Sequence, residues 1–363
     1  MPKSRTSKHR IESMLERISV RENIRLMEVC GTHTMAIARF GLKQLLPASI
    51  QLISGPGCPV CVTAQEDIER VLILAQNPRV LITTFGDMVR VPGSTGSLQE
   101  MAAQGANVRI IYSPLDAIAL AQNNPNKEVV FLAVGFETTA PTVAMALEQA
   151  QKLGLENFSI VCLHKLVIPA LIALLEDPEI QVQGFLCPGH VSTIIGTYPY
   201  EFIPKKYACG CVVSGFEPED ILESITLLVE QIKNNNFQVQ NQYVRAVKPE
   251  GNKVALSLIE KYFEPTSVYW RGLGKIPQSG LKLKAPYIKF DALRKFNLVD
   301  VEVKVGPTGC QCGQILKGIK KSDDCPLFAT ICTPSSPVGP CMVSSEGACA
   351  ASYYYRGGEV IAR

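Results

Sequence analysis

The chain has 363 residues, 47% hydrophobic and 19% charged, a composition that excludes a largely disordered protein and leaves room for two or three cores. Its formal net charge of +3, without a clustered basic stripe, argues against a dedicated nucleic-acid binder. No apolar stretch is long enough to span a membrane, and the basic run Lys3, Arg5, Lys8, His9, Arg10 has no apolar segment behind it, so the chain reads as cytoplasmic with a solvated terminus.

Residues 1–46 read as a helical segment packing with the C-terminal region, interrupted by Cys30-Gly31-Thr32-His33-Thr34. From residue 47 one pattern repeats: a short apolar run, a Gly, Pro or polar turn, then a helix-like segment. The runs are Ile50–Ile53, Val80–Thr84, Val108–Tyr112, Val129–Val134, Ile160–Leu163, Gly184–Cys187 and Cys211–Val213. Bare Val/Ile/Leu runs without alternation suit strands buried on both faces, and strands alternating with helices suit parallel sheets built from right-handed crossovers. The polar break Gln122–Lys127 suggests two such units, a first α/β domain over 47–125 and a second over 126–232. The likeness of VLITTFGDMVRVP to VFLAVGFETTAP points to an internal duplication. Residues 233–363 are less regular, opening on the linker-like Lys233–Asn241 and closing on a cysteine-rich tail. The fold class is therefore α/β: two parallel-sheet domains around a cleft, plus a mixed helical, cysteine-rich region.

In open α/β sheets, ligands bind beyond the carboxyl ends of the strands. The unusual side chains fall at that edge: Cys58, Cys61, Asp87, Glu137, His164 and His190. The two acids also suit helix N-termini, and each histidine suits a hydrogen-bonded structural role; the Pro-Gly-His turn favours function at His190.

Thirteen cysteines without an export signal point to metal ligands or redox thiols rather than structural disulfides. The tail carries Cys310, Cys312, Cys325, Cys332, Cys341 and Cys349, with few apolar residues to offset the entropy of ordering it. A metal group would supply that constraint. Structural zinc favours two short knuckles, whereas here only Cys310 and Cys312 are close; Cys325, Cys332 and Cys349 with Cys310 or Cys312 suit a [4Fe–4S] cluster, leaving Cys341 spare. Cys58-Pro59-Val60-Cys61 at a strand-to-helix turn reads as a thiol redox pair or a metal-holding pair. Cys30 beside His33 fits, on its own, a buried structural cysteine better than a nucleophile or soft ligand. Cys162, Cys187, Cys209 and Cys211 lie in or beside apolar strands and read as small buried hydrophobes.

Six segments in one order, EVCGTHT (28–34), GPGCPVC (55–61), GDMVRVPGS (86–94), GFETTAP (135–141), PGHVSTIIG (188–196) and CPLFATICTPSSPVGPCMVSSEGACAA (325–351), resemble the HypD family. The resemblance implies a scaffold on which the Fe(CN)2CO centre of [NiFe] hydrogenases is assembled. It implies two α/β domains around a cleft and a region, 233–363, holding a [4Fe–4S] cluster. The partners it implies are a HypC-type chaperone, which shares the iron, and a HypE-type cyanide donor; neither nucleic acid nor a membrane is among them. Residue by residue, Cys30 matches the cysteine proposed to hold iron, His33 the histidine of that motif, and Cys58 and Cys61 the thiol pair near the cleft. Cys325, Cys332 and Cys349 match cluster ligands, with Cys310 or Cys312 as the fourth. Ala329 stands where the family pattern leads one to expect glycine.

Soft thiolates suit iron carrying cyanide and carbon monoxide, with Cys30, Cys58 and Cys61 as its expected metal contacts and electrons passing from the cluster through the thiol pair. Asp87, Glu137 and His190 are expected to handle protons or hydrogen-bond cyanide. The expectation is an assembly scaffold rather than a conventional turnover enzyme. The alternatives are a thiol–disulfide oxidoreductase acting through Cys58 and Cys61, and a zinc-stabilised binding module. The scaffold reading requires Cys30 to share a cavity with the Cys58/Cys61 turn.

Overall fold

A computed structural model describes residues 3–299 and 309–355, with side chains from residue 11; the side chains of the basic run Lys3–Arg10 lie outside the described residues. Among the described residues no helix is long and apolar enough to cross a membrane.

The strands are β1 Ile24–Glu28, β2 Ile50–Ser54, β3 Val80–Thr84, β4 Val108–Ile110, β5 Glu128–Ala133, β6 Phe158–Cys162, β7 Gly184–Pro188, β8 Gly210–Ser214, β9 Val239–Asn241, β10 Phe263–Trp270 and β11 Gly274–Leu283. They form one parallel sheet of order β2-β1-β7-β8-β9, a second of order β4-β3-β5-β6, and the antiparallel hairpin β10–β11. All seven expected apolar runs are strands, and their lack of alternation has the expected cause. Val130 and Leu132 of β5 face the core shared by the two sheets, while Val129, Phe131 and Ala133 face a second core under the helices Pro114–Asn123 and Ala140–Lys152. Cys187 and Cys211 face the shared core as small apolar groups, as the sequence suggests.

The sheets do not follow the expected divisions. The break at 122–127 lies inside the second sheet, since β3 pairs with both β4 and β5 across it. The boundary at 46–47 separates β1 from β2, which pair over five residues from Ile24↔Ile50 to Glu28↔Ser54. The chain starts one sheet, leaves to build the other, and returns at β7 to pair beside β1. Polar breaks mark loops; sheet membership depends on pairing between distant segments. Residues 1–46 are not helical throughout, because β1 occupies their middle, hidden in the sequence by its charged Arg25 and Glu28. The expected linker carries the half-buried edge strand β9. Residues 233–363 are shared out as well: β9 joins the first sheet and the hairpin packs Phe263, Leu281 and Leu283 against the second sheet's core. The tail closes the molecule, with Pro340–Val343 packed on Pro59–Val62 and Ala348–Tyr354 packed on Gly31–Arg39.

Candidate metal centre and cleft

The carboxyl ends of both sheets open onto one cavity of about 410 Å³. The first sheet contributes Val29, Cys30 and Thr32 after β1, Gly57, Pro59 and Val60 after β2, and Pro188, His190 and Val191 at the end of β7. The second contributes Phe85 and Met88 after β3, Val134–Phe136, Thr138 and Thr139 after β5, and Val167 after β6. Glu346 of the tail completes the wall. A larger groove of about 1240 Å³ runs along edge strand β2 and the 318–324 segment, but no cysteine lines it.

Cys30 is the residue before the helix Gly31–Arg39; its extended backbone, φ −147°, leaves the side chain free of capping duty. The Gly31 N–H donates to the Gly57 carbonyl at 3.1 Å, tying this turn to the thiol turn. A Cβ on Gly57 would overlap the backbone of Val29 and Cys30, so only glycine permits this approach. Cys30 and the Cys58/Cys61 turn therefore share a cavity wall, as the scaffold reading requires. Cys58 and Cys61 stand just behind it, joined by a disulfide with Cα atoms 5.2 Å apart. Cys58 precedes the short helix Pro59–Val62, and its sulfur accepts from the Cys61 N–H at 3.2 Å.

Burial, then the nearby Glu346 carboxylate, pushes the Cys30 thiol up to about 12, so the free thiol is protonated and must give its proton to a base on binding a metal ion. Beneath it lies Glu28, buried, accepting from the Cys30 N–H at 3.3 Å and from the Thr34 hydroxyl at 2.6 Å. Burial raises its pKa to about 7. Glu346 accepts from the Thr32 hydroxyl at 2.7 Å. Neither acid was singled out from the sequence, although both lie inside the family-like segments, each within three residues of a cysteine.

The other expected groups divide. His190 lines the cavity and stacks on Phe216 at 3.9 Å between ring centroids. His33 also packs on that ring, at 4.8 Å; its Nε2–H donates to the Gly215 carbonyl at 2.9 Å, its Nδ1 is buried without a partner, and burial lowers its pKa to about 4. It is a neutral strut outside the cavity lining. Asp87, half-buried in the turn Gly86–Arg90, is not among the lining residues. Glu137 is buried and turned away: its Oε1 accepts from the Val167 N–H at 3.0 Å, capping the helix Val167–Glu176. Its Oε2 has no partner, and burial raises its pKa to about 7. Strand-end position thus brought His190 into the cavity lining but not Glu137, whose carboxylate is held by the Val167 N–H.

Behind the thiol turn, Cys310, Cys325, Cys332, Cys341 and Cys349 converge on a second, small pocket with Ile315, Leu327, Phe328 and Met342. Cys312 is hydrogen-bonded with Cys310 and Cys341. Cys341 is thus not set apart from the group. Among the described residues no three His, Cys, Asp or Glu side chains are gathered tightly enough to hold a single metal ion. An all-sulfur set spread around an apolar pocket instead suits a larger, sulfur-bridged group. The Val338 N–H donates to Cys332 Sγ at 3.3 Å. Hydrogen bonds among the Cys310, Cys312 and Cys341 thiols, together with burial, leave all three raised against a smaller opposing pull from Arg271, whose Nη2 is buried without a partner. A negative cluster would satisfy that cation. The link to the thiol turn is short, since Cys61 Sγ lies 3.8 Å from the carbonyl oxygen of Pro340, the neighbour of Cys341. Ala329, in the loop between Cys325 and Cys332, has φ 56°, the left-handed region where glycine is at ease.

Comparison with known proteins shows the family. The chain is 48% identical over 343 residues to the hydrogenase maturation factor HypD2 of Bradyrhizobium diazoefficiens, covering 92% of this chain and 90% of that protein. It is 46% identical over 337 residues to the hydrogenase maturation factor HypD of Cupriavidus necator, covering 91% and 89%. It is 43% identical over 347 residues to a putative hydrogenase expression/formation protein of Methanocaldococcus jannaschii, covering 96% and 95%. A family model named HypD, described as the hydrogenase formation hypA family, matches residues 5–356. The chain belongs to the HypD family, whose named members act in hydrogenase maturation.

Proposed function

We propose that this protein is the cytoplasmic scaffold on which an iron atom receives cyanide and carbon monoxide for a [NiFe] hydrogenase, with the 410 Å³ cavity as the workplace. The observation that carries this reading is a run of sulfur from the tail to the cavity: the pocket of Cys325, Cys332 and Cys349, the buried Cys58–Cys61 pair, and Cys30 at the wall. Cys30 is the protein's ligand to the cargo iron, and its open side is completed by a HypC-type partner. Cyanide arrives from a HypE-type donor docking at the same mouth.

Cys325, Cys332, Cys349 and one of Cys310 or Cys312 hold a [4Fe–4S] cluster, which supplies single electrons when bound. Two electrons and two protons convert the Cys58–Cys61 disulfide to two thiols. Gly57 keeps that pair one peptide from the Cys30 turn, and Pro59 and Val60 shield it from the cavity. Glu28 holds the Cys30 loop in place from below. Besides Cys30, the titratable groups lining the cavity are His190 and Glu346, and they serve proton transfer to cargo or ligand.

Anaerobic purification with the small chaperone partner tests this. Brown colour, iron in excess of four per chain, and infrared bands from cyanide and carbon monoxide are expected. A colourless zinc protein would overturn it, as would a brown protein without extra iron that reduces protein disulfides when Cys30 is replaced.

A further inference from the structure

Thr139 precedes the helix Ala140–Lys152, where a threonine hydroxyl ordinarily accepts a hydrogen bond from an amide of the first turn. It makes no such bond. Its Oγ1 instead lies 3.2 Å from Nε2 of His164, and 3.3 Å and 3.5 Å from the carbonyl oxygens of Phe136 and Val134. On the other side of the ring, His164 Nδ1 lies 3.5 Å from Cys162 Sγ. His164 is 1% exposed and lies behind Thr139, which lines the cavity.

The directions of these bonds follow from the hydrogens available. Burial lowers the His164 pKa to about 3, so the ring is neutral and has one hydrogen for two nitrogens. Burial pushes the Cys162 thiol up to about 12, so it keeps its proton and has a hydrogen to offer Nδ1. Carbonyl oxygens cannot donate, so the Phe136 and Val134 contacts need the hydroxyl's own hydrogen. With the thiol donating to Nδ1 and the hydroxyl to a carbonyl, the ring hydrogen sits on Nε2 and donates to Thr139; the opposite tautomer would have Nδ1–H donate to the sulfur and the hydroxyl donate to Nε2. The hydroxyl's hydrogen is held only by long, weak bonds to the carbonyls, and is easily turned into the cavity.

We propose that Thr139 is the hydrogen-bond donor that the second sheet presents to the nitrogen of an iron-bound cyanide, with His164 and Cys162 as positioning residues that fix its polarity. This rests on the assembly reading of the cleft. No bond is made or broken; the hydroxyl's hydrogen swings from a backbone carbonyl to the cyanide nitrogen.

Two measurements on the full chain test it. Nitrogen-15 spectra of the unloaded wild-type protein are expected to show His164 as a single neutral tautomer protonated on Nε2; protonation on Nδ1 would overturn the arrangement. In the iron-loaded complex with the chaperone partner, Thr139→Val is expected to shift the cyanide infrared bands more than the carbon monoxide band, and Thr139→Ser to restore them. Cyanide bands present and unmoved in Thr139→Val would overturn this proposal alone, whereas their absence from the wild-type complex would overturn the assembly reading with it.

Discussion

The two parallel sheets end on the same cleft and bring different chemistry to it. The first supplies Cys30 and His190 at the wall and the Cys58–Cys61 pair one layer behind. The second supplies an apolar and hydroxyl wall of Phe85, Met88, Val134, Phe136 and Thr139, while its acid Glu137 and its His164 are buried behind it. The same topological position thus yields a sulfur-bearing face from one sheet and an apolar, hydroxyl-bearing face from the other. The difference arises in the turns: Gly57 lets the backbone of the first sheet's turns close up around Cys30, whereas Glu137 of the second is spent on the helix Val167–Glu176.

The asymmetry is broken most completely at its sulfur end. Replacing Cys30 with Ala should abolish hydrogenase maturation while changing stability by less than about 1 kcal/mol, measured by hydrogenase activity in a complemented strain beside a urea titration. Full activity in that variant would make the two faces equivalent.

Gly57→Ala strikes the geometry rather than the ligand. Its Cβ meets the backbone of Cys30 and Val29, so a destabilisation of more than about 4 kcal/mol, with loss of maturation, is expected in denaturant unfolding. A midpoint near wild type would show that the turns are free to move apart.

On the second sheet, Glu137→Gln tests the shaping role. The wild-type carboxyl has its pKa raised by burial from 4.5 to about 7, so the folded state holds its proton more tightly than the unfolded state. Stability relative to the Gln variant should therefore be complete below pH 4.5 and fall as pH rises towards 7, by up to roughly 3 kcal/mol. The Gln amide oxygen still accepts from Val167, so hydrogenase maturation should persist. A difference independent of pH between 4.5 and 7 would contradict the burial, and lost maturation would make Glu137 part of the chemistry.

The mildest change lies in the tail. Ala329→Gly relieves a left-handed residue at φ 56° and should raise the thermal midpoint, corresponding to about 1 kcal/mol. An unchanged or lowered midpoint would show that the loop between Cys325 and Cys332 has no strain there to lose.

Much of the fold was legible in the residues. Seven apolar runs without alternation announced strands buried on both faces, and every one is a strand. β1 escaped because its two charged residues break the apolar run, and β9 because a three-residue edge strand leaves little pattern. The cysteine groups were visible as spacing, and the expected glycine at 329 coincides with a backbone that favours glycine. Glu28, Thr139 and Glu346 were not singled out, since an acid or a threonine acquires a role only from what surrounds it.

By itself, then, the order of residues determined the alternation of strand and helix, the placing of unusual side chains at strand ends, and family membership. These depend on local periodicity and on motifs, which a linear chain carries in full. Only the tertiary structure decided that the chain interleaves its two sheets, that Cys30 meets the Gly57 turn, and that His33, Asp87 and Glu137 lie outside the cavity lining. Those outcomes depend on which distant strands pair and on which way a side chain leaves its turn, and neither is set by near neighbours in sequence.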